Sequence, residues 1–126
     1  MIDRRQDDRV QVGKECNLYI KDIGEITVTV KDISEIGIAF KMPYDEVLHE
    51  KLKDIRELHF SYLDEFIFLG TEQSSIITAS CNVVRVVKED NSLLLGCKLA
   101  SDKDIRQYVT RKKVSEFMKL VKKQRT

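Results

Sequence analysis

An acid, a hydroxyl and a glycine interrupt the start of an otherwise strand-like segment, KDISEIGIAF (31–40). A carboxylate such as Asp32 can accept hydrogen bonds from two adjacent donors, which is what the N1–H and N2–H₂ edge of guanine presents. In an extended segment Ser34 would project on the same side as Asp32. Gly37 would allow a positive φ or close backbone approach, because it has no Cβ. The alternative is local: Asp32 and Ser34 form an Asx or Ser turn that leads into the strand.

Three arginines lie within six residues near the N-terminus, in the stretch RRQDDR. Arginine binds phosphate in a bidentate manner and stacks on planar bases. The stretch has no apolar face to bury, and its two aspartates offset only part of the charge. It therefore suits an anionic ligand with phosphates and flat rings, although taken alone it is equally typical of a solvated charged segment. The candidate residues are Arg4, Arg5 and Arg9.

The hydrophobic pattern of the remaining chain predicts one domain, residues 1–126, in three parts. Residues 1–13 have no periodicity and are predicted to be a flexible extended arm. Residues 14–100 show about six short strands joined by turns without a βαβ rhythm, which is typical of a small antiparallel barrel or sandwich. After Ser101, a plausible N-cap, helix propensity stays high, so a helix is predicted over 102–124.

Turns and changes of period divide the barrel into elements. The third strand is predicted over 36–42 and ends at Pro43, which cannot donate to the ladder. A change to helical period then predicts a short helix over 44–54, between the third and fourth strands. The clearest hairpin joins a β-branched strand over 76–88 to a strand over 93–100 through the turn EDNS.

The C-terminal helix is predicted to carry two apolar faces that are more than a right angle apart. The first consists of Ile105, Tyr108 and Val109. The second consists of Val114, Phe117, Met118 and Val121. A straight helix cannot lay both faces on one barrel, so the first is assigned to the core. The second requires either a bend or a partner.

Composition narrows the class of protein. With 126 residues, 42% of them hydrophobic and 34% charged, the chain is expected to be globular and ordered. No apolar run approaches the ~20 residues of a membrane helix, and the N-terminus lacks the apolar core of a signal peptide, so a cytoplasmic location is expected.

The three cysteines lie in strand patterns without a CxxC pair and are predicted to be reduced core residues. No metal site or cofactor is expected, because the two histidines lack partners at ligand spacing.

Together, the two polar stretches resemble the motifs of the PilZ domain family. Arg5 and Arg9 match R-x-x-x-R, and the stretch DISEIG matches [D/N]-x-S-x-x-G, in the same order and 23 residues apart from Arg9 to Asp32. The resemblance extends through the hairpin and the closing helix to essentially the whole chain. It implies a mainly β fold, a six-stranded antiparallel PilZ-type β-barrel with a C-terminal helix. It also implies binding of the bacterial second messenger cyclic di-GMP rather than enzymatic activity.

The resemblance also implies roles for individual residues. Arg5 and Arg9 would grip phosphate and stack on or hydrogen-bond guanine. Arg4, just before the motif, would add a third planar cation and favour a stacked pair of ligands, so two molecules of cyclic di-GMP per chain are predicted. The arm would become ordered when the ligand binds. The full set expected to contact the ligand is Arg4, Arg5, Arg9, Asp32, Ser34 and Gly37.

The sequence is also compatible with two other functions. A ligand-independent PilZ-like adaptor would work through protein contacts alone, and the intact motifs count against it. A small nucleic-acid-binding barrel is supported by residues 103–126, whose net charge is +7 while the rest of the chain sums to −6. It is weakened by the lack of tryptophan and of exposed aromatic pairs at alternating strand positions. The expected function is a cyclic di-GMP receptor that signals to an unidentified protein effector, with motility, secretion or exopolysaccharide synthesis as output.

Overall fold

The computed structural model describes residues 9–125, in which six antiparallel strands close into a barrel in the order β1-β2-β3-β6-β5-β4. The predicted six-stranded barrel is confirmed, as are the two helices placed between β3 and β4 and at the C-terminus. The elements are β1 (Val10–Ile20), β2 (Gly24–Ile33), β3 (Gly37–Pro43), α1 (Glu46–Leu52), β4 (Glu57–Phe68), β5 (Thr71–Glu89), β6 (Ser92–Leu99) and α2 (Lys103–Arg125).

β1 begins earlier than the sequence predicted. Val10 is buried and pairs with Ile33 of β2, so the last four residues of the predicted arm (1–13) belong to the barrel. The pairing register shifts between Gln11 and Lys14, and this bulge breaks the period-two alternation by which a strand is recognised. The first eight residues of the arm lie outside the described part of the chain.

α1 is shorter than the helix predicted over 44–54. It starts at Glu46 because Asp45, in extended conformation, caps it: the carboxylate accepts a hydrogen bond of 2.9 Å from a backbone N–H in the first turn. Tyr44 instead donates its backbone N–H to the carbonyl of Asn91, which ties it to the β5–β6 turn.

α2 begins after Asp102, not after Ser101 as predicted. The Asp102 carboxylate accepts a 3.0 Å hydrogen bond from the backbone N–H of Ile105. An aspartate is as good an N-cap as a serine, and its charge also offsets the positive end of the helix dipole. No helix in residues 9–125 is long and apolar enough to cross a membrane.

The barrel interior is filled by alternate residues of all six strands. Phe40 and Phe60 are fully buried and pack edge to face, with ring centroids 5.6 Å apart. The three cysteines are buried in β1, β5 and β6, as predicted. Burial raises the pKa of the Cys16 thiol to about 12, so this side chain behaves as a core hydrophobe rather than a nucleophile.

Only the first predicted apolar face of α2 belongs to the core. Ile105, Tyr108 and Val109 are buried, as predicted. On the second face, Phe117 and Met118 keep 63% and 39% of their surface exposed. The helix therefore does not bend to bury its second face on the barrel.

A buried polar network under α2 was not predicted from the sequence. Asp64 of β4 is fully buried, and one of its carboxylate oxygens accepts hydrogen bonds from the Tyr108 hydroxyl at 2.8 Å and from Lys112 Nζ at 2.9 Å. The Tyr62 hydroxyl donates in turn to the Tyr108 hydroxyl at 3.2 Å. Two residues of α2 are thereby fixed to β4.

Candidate ligand-binding cleft

A cleft of about 670 Å³ lies on the outer face of four neighbouring strands, β2, β3, β6 and β5. Its volume falls within the ~300–1,000 Å³ of typical small-molecule sites. Among the described residues that line it, four are cationic and one is a carboxylate, which gives a net charge of +3. We call it the cationic cleft; its charged residues are Arg9, Lys31, Asp32, Arg85 and Lys98.

One row of laterally paired residues forms the floor of the cationic cleft. Asp32 of β2 pairs with Ala39 of β3, Ala39 with Gly96 of β6, and Gly96 with Arg85 of β5. With adjacent strands ~4.8 Å apart, the two ends of the row are about 14 Å apart at their Cα atoms. The middle of the floor is therefore flat, since its two residues have little or no side chain, and the row ends in a carboxylate on one side and a guanidinium on the other.

β-bulges lie at both ends of this row. In β2 the register shifts between Val30 and Asp32, which makes Lys31 the extra residue. In β5 the extra residue is Val84, immediately before Arg85. A bulge bends its strand and re-aims the neighbouring side chains. The two bulges thus determine which charged side chains reach the cleft.

Arg9 joins the two sequence motifs across 23 residues. Its Nη1 lies 2.5 Å from Oδ1 of Asp32, and the side chains are 40% and 11% exposed, respectively. A guanidinium offers five donors and two flat faces, and Asp32 occupies one edge. Among the residues that the structure describes, nothing else bonds to this guanidinium, so its remaining donors and one flat face can serve a phosphate or a purine.

Gly37 leaves room for Arg9. A Cβ at this position would stand 3.5 Å from Arg9 Nη2 and only 3.2 Å from the carbonyl oxygen of Cys97. Gly37 has no positive φ, so of the two reasons the sequence offered for a glycine, close approach is the one that applies.

Ser34 shapes the turn beside the cleft and does not line it. It is buried, and its hydroxyl accepts hydrogen bonds from the backbone N–H groups of Ile36 at 3.3 Å and Gly37 at 3.1 Å. β2 ends at Ile33, so the extended segment expected to place Ser34 beside Asp32 is replaced by a turn. Of the two interpretations of Ser34, the structure therefore shows the local turn that leads into the strand.

The sequence model of the PilZ domain family matches residues 3–118 of the chain. The chain belongs to this family. Two solved structures are similar to it: the Bacillus subtilis inhibitor of motility, MotI/DgrA, and the Borreliella burgdorferi PlzA protein, which was crystallised in complex with cyclic di-GMP. No sequence match was found among curated proteins.

The two structures differ in how closely they follow the PilZ fold seen here. MotI/DgrA has 18% sequence identity and a TM-score of 0.59, with 89% of this chain and 52% of that chain covered. PlzA has 14% identity and a TM-score of 0.49, with 92% of this chain and 48% of that chain covered. The chain therefore spans about half the length of each. The likeness to MotI/DgrA supports the PilZ-type barrel.

The structure brings together half of the ligand-contacting residues expected from the PilZ motifs. Arg9, Asp32 and Gly37 meet at one end of the cationic cleft. Ser34 lies beside it, and Arg4 and Arg5 lie outside the described residues. Sequence reasoning did not name the other residues that line the cleft, among them Lys31, Arg85, Gly96 and Lys98.

A sequence signal for one of the missed residues exists. Arg85 stands in the β-branched run VVRVV, where an isolated cation must point away from the core. Its position could not be derived, because the bulge at Val84 shifts its pairing by one residue. The partners that place Arg85 over the cleft become visible only in the folded chain.

Proposed function

We propose that this PilZ chain is a receptor for cyclic di-GMP, acting in the bacterial cytoplasm, that passes its ligand-bound state to a protein partner. The observation that carries the proposal is the cationic cleft, where Arg9 and Asp32 meet at the end of a flat floor. Membership of the PilZ family supports the choice of ligand, because both family motifs are present in the sequence.

Charge supports a ligand with phosphates. A cyclic dinucleotide carries two of them, and the net charge of +3 in the cationic cleft attracts such an anion over several ångströms. Arg9 would donate from the edge that Asp32 leaves unoccupied. Because this cation is held by a carboxylate, it is already oriented before the ligand arrives.

The flat floor supports a ligand with purine rings. Ala39 and Gly96 present little side chain between the two charged ends of the row, so a planar base can approach the backbone closely. Arg9 uses one acceptor site of Oδ1 of Asp32, so both carboxylate oxygens keep a lone pair with which to accept from the N1–H and N2–H₂ edge of guanine. Adenine lacks this pair of donors.

Signalling requires a surface that differs between the free and bound states. We propose that this change lies in the N-terminal arm, which would become ordered when Arg4 and Arg5 contact a ligand held by Arg9. A partner that binds only the ligand-bound form would then respond to the messenger. Motility, the process named for the Bacillus subtilis protein, is one output to test beside secretion and exopolysaccharide synthesis.

A calorimetric panel tests the proposal. The full chain is titrated with cyclic di-GMP, cyclic di-AMP, GTP and single-stranded DNA at physiological salt. We expect micromolar or tighter binding of cyclic di-GMP and much weaker binding of GTP. Equal binding of single-stranded DNA would favour the nucleic-acid-binding barrel instead. Binding of none of the four would favour the ligand-independent adaptor.

The same titration gives the stoichiometry. We propose two molecules of cyclic di-GMP per chain, because three arginines would nearly balance the four charges of a stacked pair. Arg4→Leu should lower the number towards one without abolishing binding. A stoichiometry of one for the parent chain, or no change in the variant, would refute this part of the proposal.

A further inference from the structure

Arg85 lies at the end of the cleft floor opposite Asp32. It closes the row that begins at Asp32, and the bulge at Val84 re-aims it at this point of β5. The two ends of the row are about 14 Å apart at their Cα atoms, as judged from strand spacing. Arg85 and Arg9 therefore contact the cationic cleft from opposite sides of the floor.

The stem of Arg85 lies across the backbone of Gly96. A Cβ at position 96 would stand 3.3 Å from Cγ of Arg85 and 3.5 Å from its Nε. Because contacts this short are crowded, any larger residue at position 96 would push the arginine aside. Gly96 thus leaves space in which the Arg85 side chain packs against the floor, and this packing positions the guanidinium without a hydrogen bond.

The guanidinium of Arg85 forms no hydrogen bond or ion pair with any residue of the described chain. The carboxylate in the cleft, Asp32, lies at the other end of the row and is bonded to Arg9. The two lysines that line the cleft, Lys31 and Lys98, are cations and can only repel it. Within residues 9–125, the five donors of Arg85 are therefore available to an anion that enters the cleft.

We infer that Arg85 is a ligand-binding residue, which takes the phosphate or purine of the cyclic dinucleotide farther from Arg9. The inference rests on the proposed function and adds a second anchor that neither PilZ motif of the sequence contains. A cyclic dinucleotide has two phosphates and two bases, so a ligand held by Arg9 at one side presents an equivalent half to the other. Because the Arg85 side chain already packs against Gly96, it would lose less conformational freedom than a lysine on binding the half of the ligand farther from Arg9.

Calorimetry on the full chain tests the inference with a matched set of variants. Arg85→Ala should weaken cyclic di-GMP binding about tenfold, since an exposed charge-assisted contact contributes at the low end of its usual range. Arg85→Lys should weaken it less. Gly96→Ala should also weaken binding, because it displaces the arginine without removing its charge. The control is Arg106→Ala, which removes an exposed arginine from α2, the helix packed on β4 and β1, and should bind like the parent.

The outcomes separate this inference from the proposed function. If the parent binds cyclic di-GMP and Arg85→Ala binds equally well, Arg85 is not a ligand contact, whereas the receptor function stands. If Arg106→Ala loses as much affinity as Arg85→Ala, the loss reflects net charge and the inference is overturned. If the parent does not bind, both the proposed function and the inference fall. An unchanged melting temperature of the free Arg85→Ala chain confirms that the variant is folded.

Discussion

Two ion pairs, each between a cation and an aspartate, lie in different environments of this molecule. Arg9 and Asp32 meet at the rim of the cationic cleft, with side-chain exposures of 40% and 11%. Lys112 and Asp64 meet under α2, with side-chain exposures of 7% and 0%. In the first pair the cation has donors left over and lies beside an open cleft. In the second, the carboxylate also accepts from a buried tyrosine.

Because the two pairs differ in burial, they are suited to different roles. In the first pair only the cation is largely exposed, and a pair that keeps such contact with water is worth little more than the about 0–1 kcal/mol of a surface pair, so a ligand can rearrange the Arg9 guanidinium at lower cost. A buried pair that loses one partner leaves an uncompensated charge in a low-dielectric interior, which costs about 3–5 kcal/mol. The first pair is therefore suited to binding and the second to holding α2 on β4.

The largest expected effect follows from removing the buried cation. Lys112→Met should lower the free energy of unfolding by about 3–5 kcal/mol, because Asp64 would stay buried without its counter-charge. Urea denaturation followed by circular dichroism measures this. Lys119→Ala is the control: this lysine lies 3.8 Å from Glu116 on the exposed part of α2, and its loss should cost at most about 1 kcal/mol.

A double variant sharpens the interpretation of the buried pair. Lys112→Met combined with Asp64→Leu removes both charges and should recover much of the lost stability, since well-packed apolar residues often replace a buried pair without penalty. If Lys112→Met alone costs no more than Lys119→Ala, the buried pair does not hold α2, and the contrast between the two environments fails.

The pair at the cleft should show the opposite balance of effects. Arg9→Ala should weaken cyclic di-GMP binding by about 1.5–3 kcal/mol, the range of a charge-assisted hydrogen bond, and should lower the free energy of unfolding by less than Lys112→Met does, because Asp32 keeps some contact with solvent whereas Asp64 has none. Calorimetry and urea denaturation of the same preparation give both values. A variant that binds like the parent but unfolds more easily would make Arg9 a structural residue.

Base selection separates the members of the second motif. Asp32→Ala should reduce the preference for cyclic di-GMP over cyclic di-AMP by about tenfold, because a base-edge contact carries discrimination. Ser34→Ala should leave the preference nearly unchanged, since its hydroxyl is held by the backbone N–H groups of the turn. Competition titrations with both ligands measure the ratio. Equal weakening of both ligands by Asp32→Ala would contradict a base-reading role.

The smallest effect concerns alkaline pH and the buried network. Burial raises the pKa of Tyr62 above its ordinary value of 10.0, so the native chain keeps a proton that the unfolded chain loses above pH 10. Stability must then fall as the pH rises through this range, by up to about 1.4 kcal/mol per pH unit for each such group. Tyr62→Phe should flatten this slope in urea titrations between pH 10 and 11. An unchanged slope would show that Tyr62 does not titrate this way.

The fold was largely predictable because its signals are local. Alternating apolar residues and turns predicted the strands, and helical periodicity predicted both helices. The predicted element boundaries were wrong at the start of β1 and at the start of α2. The bulge between Gln11 and Lys14 hid the start of β1, and Asp102 replaced Ser101 as the cap of α2 because two adjacent residues could serve equally.

The site was predictable only where a motif marked it. Arg9, Asp32 and Gly37 were named from their spacing, and the structure brings them together. Arg85 was missed because the bulge at Val84 shifts its pairing with β6, and the pair of Asp64 with Lys112 was missed because it joins β4 to α2, two elements far apart in the sequence. Neither a bulge nor a contact between distant elements follows from the local alternation of apolar and polar residues.

The glycine amides of the chain provide the most direct test of the binding site. Gly37 and Gly96 lie in the cationic cleft, whereas Gly24 and Gly70 lie outside it, at positions with positive φ near strand turns. In a ¹⁵N-labelled full chain titrated with cyclic di-GMP, the account predicts that the amide signals of Gly37 and Gly96 shift with the ligand while those of Gly24 and Gly70 stay in place. Unmoved signals for Gly37 and Gly96 at saturating ligand would contradict it.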